Sequence, residues 1–170
     1  MLRSANNRDH GFRALISRYG DRLYRHVYRL CDDASDTDDI LQNVLIKVFQ
    51  HAEQFEGRSQ LYTWLYRVAT NEALSFLQRK RERASPEERE RALEAMRAEP
   101  WWDAEAAWQT LEEAIRQLPD KQKAVFNLRY FDEMPYEQMS QILDTSVGAL
   151  KASFHHALKK VESYLRDNQI

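Results

Sequence analysis

Between Phe55 and Arg83 the sequence sets aromatic rings beside cations. A small glycine-containing loop, Gly57, Arg58 and Ser59, is followed by Tyr62, Trp64 and Tyr66, with Arg67, Asn71, Arg79, Lys80 and Arg81 further along. Rings offer stacking surfaces to any unpaired base, and interleaved cations follow the phosphates of a single strand. A small loop beside them suits a base turned out of its duplex. A plainer reading places Trp64 in a core, the tyrosines half-buried and the Arg/Lys run in solvent. Periodicity alone does not separate the two.

A second set lies near the C-terminus. Val147, Leu150, Phe154, Ala157, Leu158, Val161 and Leu165 trace an apolar helical stripe, which turns Ser146, Ala149, Lys151, Ala152, Ser153, His155, His156 and Lys159 outward. Small side chains let a helix sit deep in a major groove, and flanking cations reach phosphates. An ordinary amphipathic helix with a solvated basic face has the same pattern. His155 and His156 are neighbours about 100° apart on a helix, so they read as solvent-facing imidazoles, not a ligand pair. A third set, Asp36, Asp38, Asp39, Gln42, Asn43 and Lys47, is the polar face of an earlier helix. It suits solvated capping or docking to a basic partner.

Nothing points to catalysis. The chain has no glycine-rich phosphate loop, no metal-spaced His/Cys/carboxylate cluster, no Glu-x-x-His and no cysteine nucleophile context. No enzymatic activity, metal or cofactor is expected.

The elements that must position these sets are helices. Four glycines and four prolines in 170 residues leave few turns for strands. Stripes at helical spacing run from Phe12 to Leu30, from Ile40 to Phe49 and from Leu61 to Leu77. The second starts at Ser35–Asp36–Thr37–Asp38, read as the N-cap region. Ser85–Pro86–Glu87–Glu88 opens a mostly polar linker helix, after which Pro100, Trp101–Trp102 and Asp103 lead into another helix. From Pro119 three short helices follow, the last two separated by Asp144–Thr145–Ser146, the geometry of a helix-turn-helix. Asp144 tolerates a left-handed turn and Ser146 is a good N-cap. The expectation is an all-α chain of two small helical domains, residues 1–84 and 113–170, joined by an acidic linker over 85–112.

Charge follows the same division. Residues 1–84 hold 14 Lys/Arg against 11 Asp/Glu, residues 85–117 hold 4 against 9, and residues 118–170 hold 7 of each. Any nucleic-acid contact must therefore come from local patches, not a basic coat. The single cysteine, Cys31, excludes an intramolecular disulfide framework, so a cytoplasmic protein is expected. The first residues lack the apolar run of a secretion signal, and no stretch approaches the ~18 apolar residues of a membrane span.

In this order the sets resemble the extracytoplasmic-function (ECF) sigma factors, the smallest members of the sigma-70 family. Residues 12–30 look like the first helix of that family's polymerase-binding and promoter-melting domain. DDASDTDDILQNVLIKVF (32–49) is similar to its polymerase-gripping segment, which implies contacts from Asp38, Asp39, Ile40, Gln42 and Asn43. FEGRSQLYTWLYRVATNEALSFLQRKRER (55–83) resembles the −10 segment, and residues 118–162 resemble the domain that reads the −35 element. Leu45 and Leu61 stand where the family usually has phenylalanine. Ser153 and His156 stand where many members have arginine, so −35 reading is expected to lean on DNA shape and phosphates. The resemblance implies that core RNA polymerase, promoter DNA and an anti-sigma factor are the partners. Competing readings are a polymerase-independent helix-turn-helix regulator, which leaves residues 61–83 unused, and an adaptor that binds only protein.

Overall fold

The computed structural model describes residues 5–52, 60–85 and 104–168. These residues form seven helices and no strand: α1 (Ala5–Cys31), α2 (Ala34–His51), α3 (Leu61–Arg83), α4 (Ala104–Arg116), α5 (Asp120–Tyr130), α6 (Tyr136–Leu143) and α7 (Val147–Asp167). Gly57, Arg58, Ser59, the linker helix expected from Pro86, Trp101–Trp102 and Asp103 lie outside the described residues.

The first three helices bury the stripes their spacing requires. Leu15, Leu23, Val27 and Leu30 of α1 meet Ile40, Val44 and Val48 of α2 in one core. Each fully buried Leu or Ile contributes about 1.5–3 kcal/mol relative to exposure. The N-cap of α2 is Asp33, not the Ser35 region: its carboxylate accepts from the Asp36 amide at 2.8 Å. Asp32 sits before it in the left-handed region (φ 57°), so the chain turns two residues earlier than expected.

In α3 the buried set is broader than one stripe: Thr63, Leu65, Tyr66, Ala69, Thr70, Glu72 and Ala73. The cause is packing on several sides, against α1, α2, α5 and α6. Ala69 and Ala73 leave room for close helix approach.

The second half is built around α5. Six consecutive residues, Lys123 to Leu128, are buried, as required of a helix covered all round. Its faces serve two cores. Ala124, Val125 and Leu128 join Met134, Met139, Ile142 and Leu150 in the same cluster as the α1–α3 core. Phe126 joins Ala114, Ile115, Leu118, Ala157 and Val161 in a second cluster under α4 and α7. Helix α4 is continuous through residue 113, the expected start of the second domain, because Ala114, Ile115 and Leu118 must reach that core. Asp144 is the left-handed C-cap of α6 (φ 47°), and the Ser146 hydroxyl accepts from the Ala149 amide at 3.3 Å. The helix-turn-helix thus has the turn chemistry its sequence specifies.

Candidate nucleic-acid interface

The C-terminal set is open to solvent. Ser146, Ala149, Lys151, Ala152, His155, His156 and Lys159 are exposed on α7 and Ser153 is half-buried. Leu150, Ala157 and Val161 face inward, which fixes the rotation of the helix. The Lys151 ammonium lies 5.7 Å from the Tyr136 ring centroid, anchoring one cation to α6. The surface can offer small side chains to a groove and cations to its phosphates.

The set on α3 is in a different state. Arg67 and Asn71 are exposed, while Tyr62 and Trp64 are half-buried. Tyr66, grouped above with the stacking aromatics, is corrected: it is buried against His26 (ring centroids 4.8 Å apart) and Tyr62 (4.4 Å). Burial pushes its phenol well above the ordinary tyrosine range, and Tyr62 moves the same way for the same reason. The basic run is paired throughout. Arg79 lies 3.6 Å from Glu72, Lys80 bonds Asp36 at 2.5 Å, and Arg81 bonds Asp120 at 2.5 Å. The bond to Asp36 also holds the Lys80 ammonium above its ordinary value. Glu72 is buried and takes Lys47 of α2 as a second partner.

On α2, Asp38, Asp39, Gln42 and Asn43 are exposed along one face, beside the partly exposed apolar residues Ile46 and Phe49. Ile40 is fully buried. It cannot touch a partner and instead fixes the helix that presents the others, a correction that its place on the apolar stripe explains.

One constellation escaped the sequence reading. The turn after α5 carries Asp132 into the first module. Its carboxylate meets His26 Nδ1 at 3.1 Å, Arg29 Nη1 at 3.4 Å and the Tyr66 hydroxyl at 3.5 Å, while His26 Nε2 lies 2.8 Å from the Thr70 hydroxyl. The Arg29 guanidinium also covers the Phe131 ring at 4.4 Å, and Asn127 donates to the Arg29 carbonyl. A polar residue in line with Leu23, Val27 and Leu30 was the available signal: His26 occupies a core position. Among the described residues no group of His, Cys, Asp or Glu is placed to hold a metal ion, and no helix is long and apolar enough to cross a membrane.

Comparisons with known proteins agree with this organisation. Sigma-70 region 2 matches residues 15–83, and Sigma-70 region 4 matches residues 108–161. The ECF RNA polymerase sigma-E factor of Haemophilus influenzae is 30% identical, over 91% of this chain and 87% of its own. The ECF sigma factor SigW of Bacillus subtilis is 25% identical, over 92% and 89%. Among solved structures, the fold is shared with the sigma factor RpoE of Bartonella quintana, solved in complex with the anti-sigma factor NepR (TM-score 0.70, 21% identity, 92% of this chain and 97% of that one). It is also shared with CnrH in complex with the cytosolic domain of CnrY (TM-score 0.71, 19% identity, 97% and 94%). The two sigma-70 regions in this order and the ECF relative that is 30% identical place the chain in the ECF branch of the sigma-70 family of RNA polymerase sigma factors.

Proposed function

We propose that the chain directs core RNA polymerase to promoters from the cytoplasm, with its labour divided between the two modules and no chemistry of its own. The module over residues 1–84 docks on polymerase through Asp38, Asp39, Gln42 and Asn43. The loop at Gly57, Arg58 and Ser59, with Tyr62 and Trp64, receives an unpaired base of the −10 element. Arg67, Asn71, Arg79, Lys80 and Arg81 hold the strand. The module over residues 113–170, tethered through the acidic stretch 85–112, sets α7 into the −35 major groove through Ser146, Ala149, Ala152, Ser153 and His156. Lys151, His155 and Lys159 reach the phosphates. An anti-sigma protein is the expected regulator, since the sigma factor RpoE of Bartonella quintana, which shares the fold, is held in a complex of that kind.

The observation that carries this reading is the pair of exposed polar faces, one on α2 and one on α7, each fixed by a buried apolar stripe. Two modest DNA contacts on one tether gain through effective concentration, so neither module needs a strongly basic surface. The test is competition with a housekeeping sigma factor for purified core polymerase. Native protein is expected to displace it, and the double variant Asp39→Arg, Gln42→Ala to lose that ability. Failure of the native protein to bind overturns the reading in favour of a polymerase-independent regulator.

A further inference from the structure

The −10 and −35 elements are named for positions about 25 base pairs apart, which is about 85 Å of duplex at about 3.4 Å per pair. A compact chain of this length has a radius of gyration of about 15 Å. Here the modules are in direct contact: α6 packs on α3, α5 packs on α1, and their buried residues share one core. A chain folded this way cannot reach both elements. It must open to work.

The seam is built for opening. Its centre is Asp132, whose side-chain partners among the described residues, His26, Arg29 and Tyr66, all belong to the other module. His26 Nδ1 faces the carboxylate and Nε2 faces the Thr70 hydroxyl, so the buried imidazole has a hydrogen-bond partner at both nitrogens. Buried polar groups hold a structure only while they are paired. When the modules part, these groups return to water and find new partners there, which an all-apolar seam cannot do. At the rim, Arg116 of α4 bonds Asp32 (Nη2 to Oδ1 3.1 Å) and Arg81 of α3 bonds Asp120 of α5. Both pairs are partly exposed and individually weak. A cleft of about 260 Å³ between α1 and α4, bordered by Tyr24, Tyr28, Trp108 and Phe131, leaves the seam incompletely sealed.

We propose that Asp132 is a latch: it holds the free chain shut, with the −10 face committed, until polymerase and promoter open it. The inhibitory consequence rests on the sigma-factor reading, but the latch itself does not. While closed, Asp120 occupies Arg81 and the α6 side of the seam covers α3. Polymerase can dock on the exposed α2 face in either state, but polymerase and the −10 strand are engaged together only by the open fraction, so the apparent affinity for the pair is reduced by that fraction.

Cys31 supplies an intrinsic reporter. It lies at the end of α1, packed against the shared core and close enough to Lys123 and Asp120 of α5 to feel their charges. Burial pushes its thiol up to about 12, so alkylation of the closed chain is slow. The experiment measures the iodoacetamide reaction rate of Cys31, the scattering radius and competition for core polymerase on promoter DNA, in native protein, Asp132→Ala and Arg116→Glu. Losing a charge-assisted hub is expected to speed alkylation of Asp132→Ala roughly tenfold, with helical content retained, an enlarged radius and tighter competition for polymerase. Arg116→Glu, at an exposed position that does not threaten the fold, moves all three in the same direction by less. Folded variants that react and scatter like native protein overturn the latch, as do variants that open yet compete no better. If Asp132→Ala does not fold, Arg116→Glu decides by the same criteria. Native protein that fails to bind polymerase defeats the sigma reading alone, and the Cys31 rates still judge the latch.

Discussion

Helices α3 and α7 each carry a run of polar and basic side chains assigned to DNA, and each buries an apolar stripe on its other side. On α7 the set stands open: Ala149, Ala152 and His156 are exposed, and Lys159 has no carboxylate partner among the described residues. On α3, Arg79, Lys80 and Arg81 are matched by Glu72, Asp36 and Asp120, and Tyr66 is withdrawn into the seam with Asp132. The two helices are similar as sequences and differ through their neighbours. Whether a basic face is available to DNA is decided by the carboxylates that its own helix and the surrounding elements bring to it. In the free chain the face proposed to read the −35 element is open and the face proposed to read the −10 element is occupied.

The strongest way to break this contrast is through α5, which serves both cores from adjacent residues. Leu128→Ala removes a fully buried side chain from the core that spans the seam, and Phe126→Ala removes one from the core under α4 and α7. The expected losses are about 2–5 kcal/mol for the first and about 3–5 kcal/mol for the second, read by denaturant unfolding. Their local consequences should separate. Under conditions where both variants remain folded, Leu128→Ala accelerates Cys31 alkylation and Phe126→Ala leaves it near the native rate. Equal acceleration by both means that the two cores are one cooperative unit and that the seam has no independent opening.

Next in size is the buried carboxylate that ties up Arg79. Glu72→Gln removes the charge that Lys47 and Arg79 share, at an expected cost of about 1–3 kcal/mol from the weakened hydrogen bonds. It also frees a cation for the strand. Binding of a −10 single strand by the variant bound to polymerase should then show a steeper salt dependence, by about 0.7 in the slope of log K against log salt. An unchanged slope puts Arg79 away from the strand.

A smaller effect tests the open helix. Lys159→Ala is expected to leave stability within about 0.5 kcal/mol. It should make the salt dependence of −35 duplex binding shallower by about 0.9, equally for different sequences. A loss confined to one sequence makes Lys159 a base reader, not a phosphate contact.

What was readable beforehand follows the range of the interactions. Helices and the helix-turn-helix are local: spacing of three and four residues, Asp144 in a left-handed turn and Ser146 as N-cap all lie within a few positions. The cap of α2 was misplaced because Ser35 and Asp33 are both good caps, and only the left-handed turn at Asp32 chooses between them. The buried state of α5 was legible in part. Ala124, Val125, Phe126 and Leu128 are too closely spaced for a single stripe and require cover on several sides. The latch was not legible, since Asp132 is separated from His26 by 106 positions and from Tyr66 by 66. Nothing in the periodicity of either segment says that they meet. The occupied state of the −10 candidates was hidden for the same reason: Tyr66, Lys80 and Arg81 meet Asp132, Asp36 and Asp120, which lie on other elements.

The smallest expected effect compares the two left-handed turns that flank α6. Glu133 (φ 49°) follows Asp132 on the latch side, and Asp144 (φ 47°) precedes the recognition helix. A left-handed backbone costs a residue with a side chain about 1–2 kcal/mol, and Asp less than Glu because its short carboxylate can bond locally. Glycine removes that strain but loses about 0.5–1 kcal/mol to the freedom it gains when unfolded. The balance favours Glu133→Gly by about 0.5–1 kcal/mol and leaves Asp144→Gly near zero, both measurable as shifts in thermal midpoint. Relief at Glu133 also lowers the free energy of the turn that delivers Asp132, so the closed state gains and Cys31 should react more slowly than in native protein. Should Glu133→Gly raise the midpoint without slowing Cys31, the turn keeps its shape in the open chain and the latch is set by the carboxylate alone.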